Sequence, residues 1–526
     1  MLNLSRLIHP KRFAAALTLI AALLLHAPAL AQSPAELAPA DTSVFIHVNA
    51  PADWFGELTD GPLGQKWRTM VEEGEGSGDL LAALGMNVDQ FMDAYFGQDV
   101  VILSQGKDAA GNDLPGVLFT KVSAVDRAHA IDSLALKLQG DLAGNPVYTG
   151  QDGDGYIVMM DQWVAMADLA AYEYLQSILT QPADAPSLAG TDHYAKWTKE
   201  LPEDRSLTLL AFENAESQHA MGVVRKGKGM DATYLGTSPD FDRMMAMLGE
   251  TTVAEFGPLP AETISAVTFN IEPTDEARVG MKNLDMLIGG KSFVDQVLPK
   301  LDPPTVLFMG SVQGDGVEPA VNVQVPVVGM AFKMNDASVA TDMNTMFDSV
   351  VMMANVAVMD FEAGLIPQRT GAYGGSSFKV AELGKPVAQG LAFPELAPIQ
   401  IVYGTVGDYY VVCTQEQFFK QCVDANKADN KAMRIEIEGK PHRLAEKPVL
   451  AWNAQPDRFG SLMLSWVNML DKKGVPDILG GEEVPIKTEH AKDVVRALQQ
   501  YSLVKMQVWT GEDGLVIGRA QLTAPQ

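Results

Sequence analysis

A serine nucleophile on a tight turn is the first chemistry the chain invites, and Gly374-Gly-Ser-Ser377 is its nearest glycine-flanked serine. Acyl transfer needs such a hydroxyl beside a base and an orienting acid. The GxSxG spacing and a preceding buried strand are both missing, so a flexible turn is the favoured reading and a hydrolase the alternative. Arg369 and Tyr373 add a guanidinium and a phenol to Ser376 and Ser377, which makes this stretch a candidate binding loop. No residue is assigned a catalytic role.

Metal chemistry has less to work with. Beyond residue 31 the histidines are His47, His129, His193, His219, His442 and His490. None lies three or four residues from another, so no helical zinc motif forms and each reads as a surface or satisfied structural side chain. Asp152-Gly-Asp-Gly155 is similar to the opening of a calcium loop, but the twelfth position, where an EF-hand needs glutamate, is Trp163. A polar hairpin turn is simpler, and divalent-cation binding is kept as a third reading. The paired carboxylates Glu72-Glu73 and Glu482-Glu483 decorate a solvated face, and no GxxxxGK[ST] or GxGxxG cradle opens a helix. No cofactor and no metal ligand is expected.

Cys413 and Cys422 are the two cysteines of the chain. Cys413 ends a predicted strand and Cys422 lies on the helix that follows. They are a candidate disulfide, stabilising by roughly 2–3 kcal/mol through chain entropy, or two buried small apolar residues; both readings stand.

The elements that must position these groups recur. Leu118-Phe-Thr-Lys-Val122, leading into Ile131, Leu134 and Leu138, is echoed by Met330-Ala-Phe-Lys-Met334, leading into Met343, Met346 and Val350. Methionine there replaces aliphatic packing, so core filling outweighs Cu(I) binding by thioethers. Further on, Trp163–Ala167 parallels Tyr409–Cys413, and Leu209–Phe212 parallels Val449–Trp452. The series closes with Val267–Ile271 against Met506–Thr510, and Ala277–Leu284 against Leu515–Leu522. The order is kept throughout, which predicts two long copies of one unit rather than a solenoid of short repeats. Asp-Gly turns at Asp152-Gly153, Asp315-Gly316 and Asp513-Gly514 fit antiparallel hairpins. Helical patterns follow Val122, Ala167, Met334 and Cys413. The expected fold class is α+β: two related domains from internal duplication, mostly antiparallel sheets, helices on one face. The expected boundaries are a signal peptide at 1–31, a first domain at 32–288, and a second at 289–526 carrying an insertion at 355–400. The strand and helices before residue 95 have no echo, and the glycine- and proline-rich 361–398 is expected to be irregular.

Arg6, Lys11 and Arg12 precede the apolar run Phe13–Leu25, and Ala29-Leu-Ala31 offers small residues for cleavage. That run is too short to span a bilayer, so a cleaved secretory peptide and a periplasmic or secreted product are expected, with no integral membrane segment left. Losing three basic residues and no acid takes the net charge from −27 to −30. Such a surface repels polyanions, which excludes nucleic acid as the expected partner.

Leu37-Ala-Pro-Ala-Asp-Thr-Ser-Val-Phe45, followed by Pro51-Ala-Asp-Trp-Phe55, resembles the opening of exported bacterial proteins of unknown function with an "LPADT"-like lead into the first strand. Tyr409–Thr414 with Phe418-Phe419 resembles their later units. Ala38 stands where that lead has proline, which comes one place later at Pro39. The resemblance implies export and an α+β build, and carries no activity. The sequence therefore points to a noncatalytic exported protein that binds a protein or small-molecule partner, through a groove between the copies and the 361–398 segment.

Overall fold

The computed structural model describes residues 34–524 apart from 54–61, 74–76, 107–113, 115, 151–152, 154, 183, 213–216, 228, 252–257, 261–262, 314–323, 360–364, 385–398, 429–447, 474–491, 493–494, 497–498 and 511–514. The signal-peptide stretch, the Asp315-Gly316 and Asp513-Gly514 turns, Asp152, Asp154, His442, His490 and Glu482-Glu483 lie outside the described residues. The chain divides into two compact units at Ser238/Pro239, within the span that the sequence assigned to the first domain.

The first unit begins with β1 (Val44–Val48) and a run of helices, α1 (Pro62–Glu73), α2 (Ser77–Leu84) and α3 (Val88–Phe96). A reciprocal cap starts α3: the Asn87 side chain accepts from the Gln90 N–H while Gln90 accepts from the Asn87 N–H. There follow β2 (Val100–Ser104), β3 (Gly116–Lys121), α4 (Ala124–Leu134), β4 (Lys137–Leu142), β5 (Asn145–Thr149), β6 (Gly155–Met159) and β7 (Trp163–Asp168). Two short helices, α5 (Tyr172–Leu179) and α6 (Asp192–Thr198), lead into β8 (Leu207–Phe212), β9 (Gln218–Lys226) and β10 (Gly229–Thr237). Every pairing is antiparallel, in the order β4-β5-β6-β7-β3-β2-β1-β8-β9-β10.

The second unit opens on α7 (Pro239–Met245), the short β11 (Leu248–Gly249) and β12 (Ser265–Ile271), then α8 (Asp275–Gly280) and α9 (Lys282–Leu287). Next come β13 (Leu301–Gln313), β14 (Gln324–Met334), the long α10 (Val339–Met359), β15 (Gln368–Tyr373), β16 (Ser376–Ala381), β17 (Ile401–Val406) and β18 (Tyr409–Cys413). It ends with α11 (Glu416–Lys427), β19 (Leu450–Ala454), α12 (Pro456–Lys473), β20 (Leu503–Thr510) and β21 (Val516–Thr523). Its antiparallel order is β15-β16-β17-β18-β14-β13-β12-β19-β20-β21. Element for element, this is the strand order of the first unit.

That register corrects the tail of the repeat. Val267–Ile271 lies in β12, which stands where β1 stands, and Met506–Thr510 lies in β20, the counterpart of β9. Ala277–Leu284 is helical while Leu515–Leu522 is strand. The opening strand and helices, expected to lack an echo, match β12 with α8 and α9 by position. The 361–398 stretch is not a wholly irregular insertion either, because it contains β15 and β16, the counterparts of β4 and β5. Among the described residues, much of the extra length lies in α10, 21 residues against 11 in α4.

Helices cover both faces of each sheet, not one. In the second unit Tyr403, Tyr410 and Phe332 face α10, while their strand neighbours Val402, Val411 and Ala331 join Phe418, Phe419 and Cys422 of α11. In the first, α2 to α4 pack over Ile157, Val164 and Met166, and on the opposite face Tyr194 of α6 meets the Phe45 ring edge-on at 6.3 Å. The continuous burial of Trp163–Ala167 follows directly, since a strand covered on both sides has no solvent face.

Candidate functional site

The segment marked as a binding loop is a β-hairpin. Gly374 (φ +57°) and Gly375 (φ +90°) form a two-residue turn between β15 and β16, a left-handed backbone that glycine accepts without a Cβ clash. Arg369 and Tyr373 share the face that looks toward α11. There the guanidinium bonds Glu416 and stands 3.7 Å from Glu382, and the Tyr373 hydroxyl donates to Asp424 at 2.9 Å. Lys420 lies 2.9 Å from Glu416 and 5.7 Å above the Tyr373 ring. Burial works to raise the Glu416 carboxyl, but the bonds from Arg369 and Lys420 outweigh it and hold the group below its ordinary value. These groups tie the hairpin to the helix. Ser376 is buried at the start of β16 and Ser377 is exposed. No hydrogen bond joins either serine to a histidine among the described residues.

Cys413 and Cys422 are both free thiols, buried in the core cluster under α11. The Cys413 Sγ–H donates to the Gln415 carbonyl at 3.2 Å. Burial pushes the Cys413 thiol up to about 12 and the Cys422 thiol well above its ordinary value. Neutral, enclosed thiols of this kind are inert toward electrophiles.

A cluster that the sequence did not single out sits on the first unit's sheet. Asp99, just before β2, accepts from His47 Nε2 of β1 at 2.7 Å and from Lys121 Nζ of β3 at 2.5 Å. Lys121 also stands 5.0 Å from the centroid of the Trp163 ring. The His47 bond, helped by Lys121 and opposed by burial, lowers the Asp99 carboxyl to about 2. A carboxylate with both oxygens bonded to cationic or imidazole donors is a poor proton acceptor, so the arrangement fastens three strands rather than supplying a base. The second unit repeats the positions in register, with Lys333 across from Asp302 and from Tyr409. There Asp302 accepts from Asn335 Nδ2 at 3.3 Å. The shared lysine, Lys121 and Lys333, was visible in the sequence; its acid partner appears only once strand register is known.

The longest helix is fastened the same way. Asp348 of α10 accepts from Lys379 at 2.7 Å and from the Tyr403 hydroxyl at 2.6 Å, and one turn earlier Asn344 accepts from the Tyr410 hydroxyl at 2.9 Å. Burial drives both phenols upward, keeping them protonated donors. Asp342 receives Lys291 at 2.5 Å and Lys300 at 3.4 Å. Met343 and Met346 are buried in the same interface, as core filling requires.

The other described histidines have structural partners. His129 Nε2 lies 2.8 Å from the Leu84 carbonyl, His193 packs edge-on to Phe212, and His219 bonds the Tyr234 hydroxyl at 2.7 Å. Among the described residues there is no group of three or more histidine, cysteine, aspartate or glutamate side chains placed to hold a metal ion. No helix among them is long and apolar enough to cross a membrane.

No family model and no curated protein matches the chain. Two solved structures do, crystal forms IV and III of TP0453, each at 10% identity. They cover 39% and 40% of this chain and 80% and 81% of their own, with TM-scores of 0.24 and 0.26. Likenesses that slight carry neither fold nor function.

Proposed function

We propose that this is a noncatalytic exported protein, built by duplication of one ten-stranded α+β unit, that acts through contact with a partner. The observation that carries the reading is where its charged side chains go. Asp99, Asp342 and Asp348 each satisfy two donors on neighbouring elements of their own unit, and Glu416 satisfies Arg369 of β15 together with Lys420 of its own helix, so they serve the fold. The matching strand orders support the duplication, and the basic-then-apolar N-terminus supports export to the periplasm or beyond. Deleting 362–396 would not isolate a binding role, because it removes two sheet strands together with buried Phe378 and Val380.

The test is crosslinking in intact cells followed by mass spectrometry of the captured chain, run beside labelling with a fluorophosphonate probe. We expect a mature chain starting at Gln32, a discrete crosslinked partner, and no probe on Ser376 or Ser377. Stoichiometric probe on either serine would replace this reading with the hydrolase, and a chain retaining its first 31 residues inside the cytoplasm would remove the export half.

A further inference from the structure

We infer that a cleft in the second unit, between α8, α9 and the turn before β13, binds a small zwitterion: a free α-amino acid with an aliphatic side chain. The cavity measures about 410 Å³, within the range of roughly 300–1,000 Å³ usual for small-molecule pockets. Arg278 and Val279 line it from α8, and Lys282 and Asp285 from α9. The facing wall is Ser292, Val294 and Asp295. That wall opens a π-helical turn, Phe293–Val297, a rare backbone geometry that recurs at functional sites. Two ties join the walls. The Arg278 Nε–H donates to Asp295 at 3.0 Å, and the Phe293 N–H donates to Asp285 Oδ1 at 2.7 Å.

With those ties made, the cleft keeps one uncommitted charge of each sign. Lys282 has no hydrogen-bond or ion-pair partner among the described residues, and neither has the second carboxylate oxygen of Asp285. The two side chains are three residues apart on α9, neighbours on a helix surface, yet no ion pair joins them. Charge balance then selects the ligand. A simple anion would meet Asp285 and Asp295, and a simple cation would meet Arg278 and Lys282. A zwitterion satisfies both signs, its carboxylate on Lys282 Nζ and its ammonium on the open oxygen of Asp285. No existing bond is broken, since Arg278 keeps Asp295 and Asp285 keeps the Phe293 N–H. The apolar lining is Val294 and Val279, the latter 80% exposed, and an aliphatic side chain would cover it. Arg278, Lys282 and Asp295 are exposed, so each charge contributes modestly and the affinity is weak.

Isothermal titration of the full chain with L-leucine tests this, and saturable binding is expected. Two probes remove one charge each: 4-methylpentanoate lacks the ammonium and isoamylamine lacks the carboxylate. Each should bind more weakly than L-leucine by about tenfold or more. Lys282→Met and Asp285→Asn should each weaken L-leucine to a similar degree. Lys282 is exposed and bonded to nothing, so its variant keeps the fold, and Asp285→Asn keeps an oxygen for the Phe293 N–H. The readout needs neither a protein partner nor export, so it stands or falls apart from the reading above. No saturable binding of L-leucine up to its solubility overturns the proposal, as does a Lys282→Met chain that binds it like wild type. Equal binding of 4-methylpentanoate or of isoamylamine also overturns it, leaving a simple anion or cation site.

Discussion

Phe418→Ala is expected to destabilise the second unit by about 3–5 kcal/mol. The Phe418 ring is fully buried and stacks on Phe308 at a centroid distance of 5.4 Å. It fits there because β13 carries glycine against it and β14 carries glycine against Phe308. A Cβ built on Gly310 would lie 2.3 Å from the Phe418 ring, and one on Gly329 would lie 2.3 Å from Phe308 and 2.4 Å from the Val412 carbonyl. Truncating Phe418 leaves a ring-sized void in a core that also holds Phe419, Cys413 and Cys422, and close-packed surroundings collapse only partly into such a space. Gly310→Ala should be costly alone through overlap, by about 1–3 kcal/mol. In a Phe418→Leu background that added cost should nearly vanish. Urea unfolding of the four chains closes the cycle; strict additivity would mean that ring and glycine do not share this space.

Asp99→Asn should cost about 2 kcal/mol at neutral pH, and the cost should disappear in acid. The folded carboxyl is held at about 2 by His47 and Lys121, against about 4 for an unfolded aspartate. A depressed carboxylate contributes stability that is fully present above the unfolded value and is lost as pH falls toward the folded one. The difference between wild type and Asp99→Asn should therefore be constant above about pH 5 and shrink steadily toward pH 2. Hydrogen exchange of the β1, β2 and β3 amides reads this locally, which matters in a chain of two units. A pH-independent difference would assign the role of Asp99 to shape alone.

Much of the strand content was legible because alternation is a local signal. Leu118–Lys121, Trp163–Ala167, Tyr409–Cys413 and Leu209–Phe212 all fall on strands, and the first three matched pairs occupy the same place in the order of each unit. The later matches failed for a physical reason. Any short half-buried strand resembles any other at period two, so β12 was paired with β20 although they play different parts. The faces were misjudged although Trp163–Ala167 carried the clue, being apolar at every position rather than at every second one. His47 and Asp99 could not be joined from sequence, since their contact depends on the pairing of β1 with β2 across 52 residues. Arg369 and Tyr373 were picked for their chemistry, and the fold spends that chemistry on α11.

Everything rests on two units sharing one strand order. A crystal structure of the chain, with the ten strands of residues 44–237 superimposed on those of 265–523, measures this most directly. The account predicts that β1 to β10 fall on β12 to β21 in sequence, with Lys121 on Lys333 and Trp163 on Tyr409. A second unit whose strands pair in any other order would contradict it.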